Sequence, residues 1–145
     1  MWFYILAAAV CFADQAIKRL VGSLQLGQSI PVIEPFFYLT YVRNTGAAFS
    51  LFTGSSPFLT AIGLLAVVLM VYFHHLLPAK EKLAQSGLAL MLGGSAGNLF
   101  DRLFRHYVID YLDFKVWPVF NLADIMINLG VALIILAILA QKKEA

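Results

Sequence analysis

The chain has 145 residues, of which 61% are hydrophobic and 12% charged, with a formal net charge of +2 and a mean hydropathy of +0.84. A soluble domain is about 45–50% apolar and about 25% charged, so a water-soluble globule and a disordered chain are both excluded. So small a positive charge, without an arginine-rich run or a basic helix face, offers no surface for nucleic acid.

Residues 2–21 open with an apolar run that is free of charge as far as Asp14. Lys18 and Arg19 follow the apolar core instead of preceding it, so this segment is expected to be a retained membrane helix and not a cleaved secretory signal. Its lone cysteine, Cys11, leaves no intrachain disulfide and reads as a small buried hydrophobe. The long loop 22–56 holds two runs, Ile30-Pro31-Val32-Ile33 and Phe36-Phe37-Tyr38-Leu39-Thr40-Tyr41-Val42. The second is β-branched and aromatic, which predicts a small sheet at the membrane surface. Phe36, Phe37, Tyr38 and Tyr41 read as interfacial aromatics or as a cover over the site.

Residues 57–77 carry no charge and predict a second membrane helix. Residues 78–82 form a short polar hairpin. Residues 83–102 predict the third helix, uncharged up to Phe100 and closing on Asp101-Arg102. Residues 103–120 are expected to be irregular, with aromatics and Pro118. Residues 121–141 predict the fourth helix, with Asp124 as its only charge. Each window approaches the ~20 apolar residues that cross ~30 Å of hydrocarbon. The expected fold is an all-α integral membrane protein with one domain over residues 1–145. It is a four-transmembrane-helix bundle with a small β-rich extracytoplasmic subdomain in loop 22–56.

Four crossings put both termini on one side, with Lys80, Lys82, Lys142 and Lys143. The other side mixes Lys18, Arg19, Arg43, Arg102, Arg105 and Lys115 with Asp14, Glu34, Asp101, Asp110, Asp113 and Asp124. A raw count of cations would turn the second side inward. A mixture of both signs is what a working site needs, so the termini are expected in the cytoplasm.

Asp14, Asp101 and Asp124 sit at ends of three segments that meet on one membrane face, and Asp110 lies in a loop on that face. Such carboxylates must pair, hydrogen-bond or stay protonated. Two within hydrogen-bonding distance share a proton, so that one activates water while the other polarises a carbonyl. His74-His75 point in different directions at the opposite face and read as interfacial, not as a zinc pair. His106 is alone near the acids, a secondary candidate for acid–base work. No serine sits in a Gly-x-Ser-x-Gly elbow. Gly93-Gly94-Ser95-Ala96-Gly97 lacks the ending of a phosphate loop and suits close helix approach. An acid cluster also fits a proton-coupled transporter, but these acids crowd one interface and leave the midplane bare. A noncatalytic scaffold would rest on the glycine-rich packing alone.

Five blocks in order complete the pattern: Asp14-Gln15-Ala16-Ile17-Lys18; Asn44-Thr45-Gly46-Ala47-Ala48-Phe49-Ser50; Gly93 through Asp101-Arg102, containing Asn98; Val108-Ile109-Asp110-Tyr111; and Phe120-Asn121-Leu122-Ala123-Asp124. Together they resemble the bacterial lipoprotein signal peptidases, also called signal peptidase II. The resemblance implies an aspartic endopeptidase of the bacterial inner membrane that cleaves prolipoproteins before a diacylglyceryl-modified cysteine. It implies a catalytic dyad at Asp110 and Asp124, with Asp113 a near neighbour that fits the block less well. The two aspartates are fourteen positions apart, fewer than the family pattern leads one to expect. By the same resemblance, Asn44, Gly46, Asn98, Arg102 and Asn121 line or brace the substrate site, and Arg102 could grip a carboxylate bidentately. Asp14 and Lys18, four apart on a helix, read as a structural ion pair, a snorkelling headgroup anchor or a substrate contact. Asp101, beside Arg102, likewise reads as structural or as a supporting substrate-site residue. No metal or organic cofactor is implied. The implied partners are diacylated prolipoproteins, membrane lipid and globomycin-like inhibitors, with the chain a monomer.

Overall fold

The structure is a computed structural model and describes residues 1–46 and 56–144. These form α1 (Trp2–Val21), β1 (Ser29–Ile33), β2 (Phe37–Asn44), α2 (Ser56–Leu76), α3 (Lys82–Arg105), β3 (Val108–Asp113) and α4 (Leu122–Glu144). The 47–50 part of the second sequence block lies outside the described residues.

One stripe on α1 already shows how the protein is organised. Phe3, Ala7, Val10, Asp14, Lys18 and Val21 recur every three or four positions, and all are buried. That spacing lines up one helix face. The stripe begins apolar and ends ionic, so α1 carries hydrophobic packing at one end and charge at the other. Phe3 and Ala7 pack with Met70 of α2 and with Leu88, Ala89 and Leu92 of α3.

Helix α3 is central and packs against the other three helices. Its backbone is approached from both sides. A Cβ on Gly93 would sit 2.5 Å from the Ala7 carbonyl oxygen of α1, and one on Gly94 would sit 2.5 Å from that of Ala123 on α4. Only a residue without a side chain allows this spacing.

The sheet has the order β1-β2-β3 and is antiparallel throughout. Val42 faces Asp110 across the β2–β3 ladder, and Asn44 faces Val108. Val21 of α1 packs with Tyr41, Ile109 and Tyr111, which seats the sheet on the end of α1. Two sequence expectations change here. The sheet is not confined to loop 22–56, because residues 103–120 are not simply irregular: they contain β3, and α3 itself runs on to Arg105. Tyr41 is buried under the sheet and neither covers the site nor faces lipid.

Two segments, Pro57–Leu76 and Leu122–Lys142, are long and apolar enough to cross a membrane, with mean hydropathies of 2.0 and 2.5. Helices α1 and α3 carry polar residues that lower their averages, yet those within the helices turn inward and the exposed Arg19 and Lys82 lie near the ends. Asp14, Lys18 and Asp101 are 0% exposed, while Phe12, Leu20 and Phe104 are 78%, 73% and 69% exposed. Among the described residues no buried polar side-chain atom lacks a hydrogen-bond partner.

Candidate active site

Strand β3 delivers Asp110. Its side chain is buried, and both oxygens accept hydrogen bonds: Oδ1 from Asn121 Nδ2 at 2.6 Å and Oδ2 from Asn44 Nδ2 at 2.9 Å. Asn44 closes β2, and its own Oδ1 accepts from the Gly46 backbone N–H at 2.9 Å. Asp124 arrives differently, in the first turn of α4. Asn121 Oδ1 accepts from the Asp124 N–H at 3.0 Å, while Asp124 Oδ2 accepts from the Asn121 N–H at 3.2 Å. This is a reciprocal capping box. The remaining first-turn donors of α4 are also met by side chains. Leu122 N–H donates to the Tyr111 hydroxyl at 3.2 Å and Ala123 N–H to Asp14 Oδ1 at 3.1 Å. A helix start that would otherwise expose unpaired donors is thereby pinned to α1 and β3.

Asp110 and Asp124 line one open cavity of ≈ 1220 Å³, together with Arg43, Asn44, Gly46, Asn98 and Arg102. Burial, reinforced by the charge of Asp124, pushes the Asp110 carboxyl up to about 7 against the pull of its amide donors. A carboxyl there holds its proton at a pH where an ordinary one has lost it. Asp113 lies elsewhere, bonded to Lys115 Nζ at 2.6 Å and to the Thr40 hydroxyl at 2.7 Å. Of these two neighbouring aspartates, Asp110 lines the cavity and Asp113 does not.

The four convergent acids fall into two groups. Asp14 and Asp101 enclose Lys18, whose Nζ lies 2.9 Å from Asp14 Oδ2 and 2.8 Å from Asp101 Oδ2. Lys18 is wholly buried, so it forms the expected ion pair and does not snorkel to the headgroups. Arg105 pairs with Asp101, and Gln15 joins them by donating to the Gly97 carbonyl at 3.0 Å and to Asp101 Oδ1 at 3.2 Å. Sequence reasoning did not single out Gln15 or Arg105, although the i,i+4 spacing of Asp101 and Arg105 carried the signal. Asn98 links the two groups, accepting from Lys18 Nζ at 2.8 Å and donating to Asp124 Oδ1 at 2.8 Å.

Arg102 stands in the cavity wall, where it donates to the Gly46 carbonyl at 3.4 Å. No bidentate grip on a carboxylate is formed. Neighbouring residues on a helix point about 100° apart, so Asp101 turns to Lys18 while Arg102 turns to the cavity. His74 stacks on Phe3 with ring centroids 3.7 Å apart and bonds Gln85 Oε1 at 2.6 Å. His75 meets the Tyr4 hydroxyl at 3.2 Å. His106 caps the end of α3 with φ 65° and does not line the cavity. Among the described residues no group of three His, Cys, Asp or Glu side chains is placed to hold a metal ion.

An apolar exterior around buried charges, with a cavity lined by Asp110, Asp124, Arg43 and Arg102, is the pattern of a membrane protein with a polar site, and the architecture matches a membrane enzyme. A solved bacterial membrane enzyme superposes with a TM-score of 0.90 at 30% identity, covering 98% of this chain and 90% of that one. A family model described as signal peptidase (SPase) II matches residues 6–140. Lipoprotein signal peptidases from Moorella thermoacetica and Desulfitobacterium hafniense are 43% and 42% identical; the matches cover 92% and 99% of this chain and 90% and 97% of those proteins. The chain belongs to the signal peptidase II family.

Proposed function

We propose that the chain is an aspartic endopeptidase that removes signal peptides from diacylglyceryl-modified prolipoproteins, cutting just before the lipidated cysteine. One observation carries the aspartic mechanism: Asp110 and Asp124, from β3 and α4, face one cavity and are both held by Asn121. Asp110 is the more buried of the two and holds the shared proton. Asp124 sits at a helix start, where backbone dipoles favour a negative charge. It takes a proton from a water molecule while the Asp110 hydroxyl hydrogen-bonds the scissile carbonyl oxygen. The hydroxide adds to the carbonyl carbon. The tetrahedral intermediate then collapses, the C–N bond breaks and the departing nitrogen receives the proton that Asp124 took from water. Asn44, Asn98 and Asn121 fix the two carboxyls, and Arg102 with the Gly46 segment offers donors and acceptors to the substrate backbone. The mechanism uses no metal or organic cofactor.

The apolar exteriors of α1 and α3 support four crossings, since Asp14, Lys18 and Asp101 are hidden inside the bundle, while the exposed Arg19 and Lys82 sit near helix ends. In this reading the chain is one membrane domain of the bacterial inner membrane and acts as a monomer. Both termini are cytoplasmic and the cavity opens at the extracytoplasmic face. The signal helix enters from the side and the diacylglyceryl chains stay among lipid tails. Globomycin-like cyclic peptides occupy the same cavity.

The test is incubation of the purified chain, in lipid nanodiscs, with a diacylated prolipoprotein. Mass spectrometry should find a mature product beginning at the lipidated cysteine, and a globomycin-like peptide should suppress it. An intact precursor, or ion flux without cleavage, would contradict the reading.

A further inference from the structure

Lys18 lies in α1, is wholly buried and does not line the cavity. Its ammonium has three acceptors within reach: Asp14 Oδ2 at 2.9 Å, Asp101 Oδ2 at 2.8 Å and Asn98 Oδ1 at 2.8 Å. An ammonium has three N–H donors and no acceptor, so all three are used and only the oxygen end of the Asn98 amide can face it. The nitrogen end must then point the other way, where it meets Asp124 Oδ1 at 2.8 Å. Asn121 Nδ2 adds a second donor to Asn98 Oδ1 at 3.2 Å. Amide ends are nearly isosteric, and their direction follows from the partners. Here the partner that cannot accept is Lys18.

We infer that Lys18 is a positioning residue for the reaction: by fixing the direction of the Asn98 amide, it ensures that Asp124 always meets an N–H and stays the ionised member of the pair. The inference rests on the dyad reading above and goes further, since it gives the ion cluster behind the site a task in catalysis. That cluster balances Lys18 and Arg105 against Asp14 and Asp101, so its influence on the dyad travels through a directed hydrogen bond and not through net charge. Without the ammonium, only the longer bond from Asn121 Nδ2, at 3.2 Å, holds the oxygen end of the Asn98 amide, and the amide turns more readily. With its oxygen toward Asp124, only a protonated Asp124 could bond to it, and the base would be lost. The other groups around Asp124 are Asp110 and Tyr111 of β3 and Arg102 of α3. None of them contacts Asn98 in a way that sets its direction.

The experiment measures kcat, KM and pH–rate profiles on a diacylated prolipoprotein. Lys18→Met should lower kcat about ten- to hundredfold, the loss carried by one hydrogen bond to a charged group. KM should change little, and the acid limb of the profile should move to higher pH, because the N–H bond that favours a charged acceptor is weakened. The variant Lys18→Met/Asp14→Asn keeps the cluster neutral, which protects folding, and should show the same defects. Lys18→Met/Asn98→Leu should be no slower than Asn98→Leu alone, because the lysine acts through that amide. Additive losses, or a loss confined to KM or Tm with an unmoved acid limb, would overturn the inference. Asp110→Asn and Asp124→Asn are run alongside. If they turn over substrate, the dyad reading itself fails. If they are inactive while Lys18→Met/Asp14→Asn keeps the wild-type kcat and acid limb, only the role of Lys18 fails.

Discussion

Asn121 holds Asp110 through its side-chain amide at 2.6 Å, and through its backbone N–H it holds Asp124 at 3.2 Å. One residue thus sets the relation between a strand carboxyl and a helix carboxyl. Asn121→Ala removes the cap of α4 and one donor to Asp110 together. Loss of a cap destabilises by about 1 kcal/mol, and loss of a hydrogen bond to a charged group by about 1.5–3 kcal/mol. Thermal unfolding should show a lowered Tm, and kcat should fall more than tenfold. An unchanged kcat in a folded variant would contradict the bridging role.

The pH profile follows from the burial of Asp110. Its carboxyl is raised to about 7 by burial first and by the charge of Asp124 second. The acid partner is therefore present below that pH and lost above it. The value of kcat/KM should decline as pH rises through about 7, by about tenfold per pH unit well beyond it. A profile that stays flat into the alkaline range would contradict a shared proton.

The same group makes stability depend on pH. The folded state binds this proton more tightly than the unfolded chain, so stability falls as pH rises from about 4 to about 7. A shift from 3.8 to about 7 corresponds to about 4 kcal/mol. Asp110→Asn carries no such penalty. Its stability relative to the unsubstituted chain should improve by several kcal/mol between about pH 4 and about pH 8, read by denaturant unfolding in detergent micelles. Equal stabilities across that range would contradict the buried, protonated Asp110.

Gly94 sets how closely α4 approaches α3, and thereby where Asp124 sits. A Cβ there would lie 2.5 Å from the Ala123 carbonyl oxygen and 3.0 Å from Ile127 Cγ1. Backbone cannot yield as a flexible side chain does, so Gly94→Ala should displace the start of α4. A stability loss of about 1–3 kcal/mol is expected, with a fall in kcat at unchanged substrate affinity. Normal turnover with normal Tm would show that the helices tolerate the extra atom.

Much of this was legible in the sequence, and the exceptions have physical reasons. The helices and β1 and β2 announce themselves by apolar runs and β-branched composition. Asp110, Asp124, Asn44, Asn98 and Asn121 stand in recognisable blocks, and the structure brings all five to one cavity or its wall. What a linear reading misses is the side to which each neighbour turns. Asp101 and Arg102 are adjacent yet serve different clusters, because a helix rotates between them. Strand β3 was hidden because its ladder partner, β2, is far away along the chain. In sequence Lys18 reads equally as an ion pair, a headgroup anchor or a substrate contact, and only its three buried acceptors separate these.

The most direct test is turnover of a diacylated prolipoprotein by Asp110→Asn and Asp124→Asn beside the unsubstituted chain, all confirmed as folded and membrane-inserted. Neither variant should release a mature product while the unsubstituted chain does. Cleavage by either at near-normal rate would show that the two carboxyls do not perform the reaction.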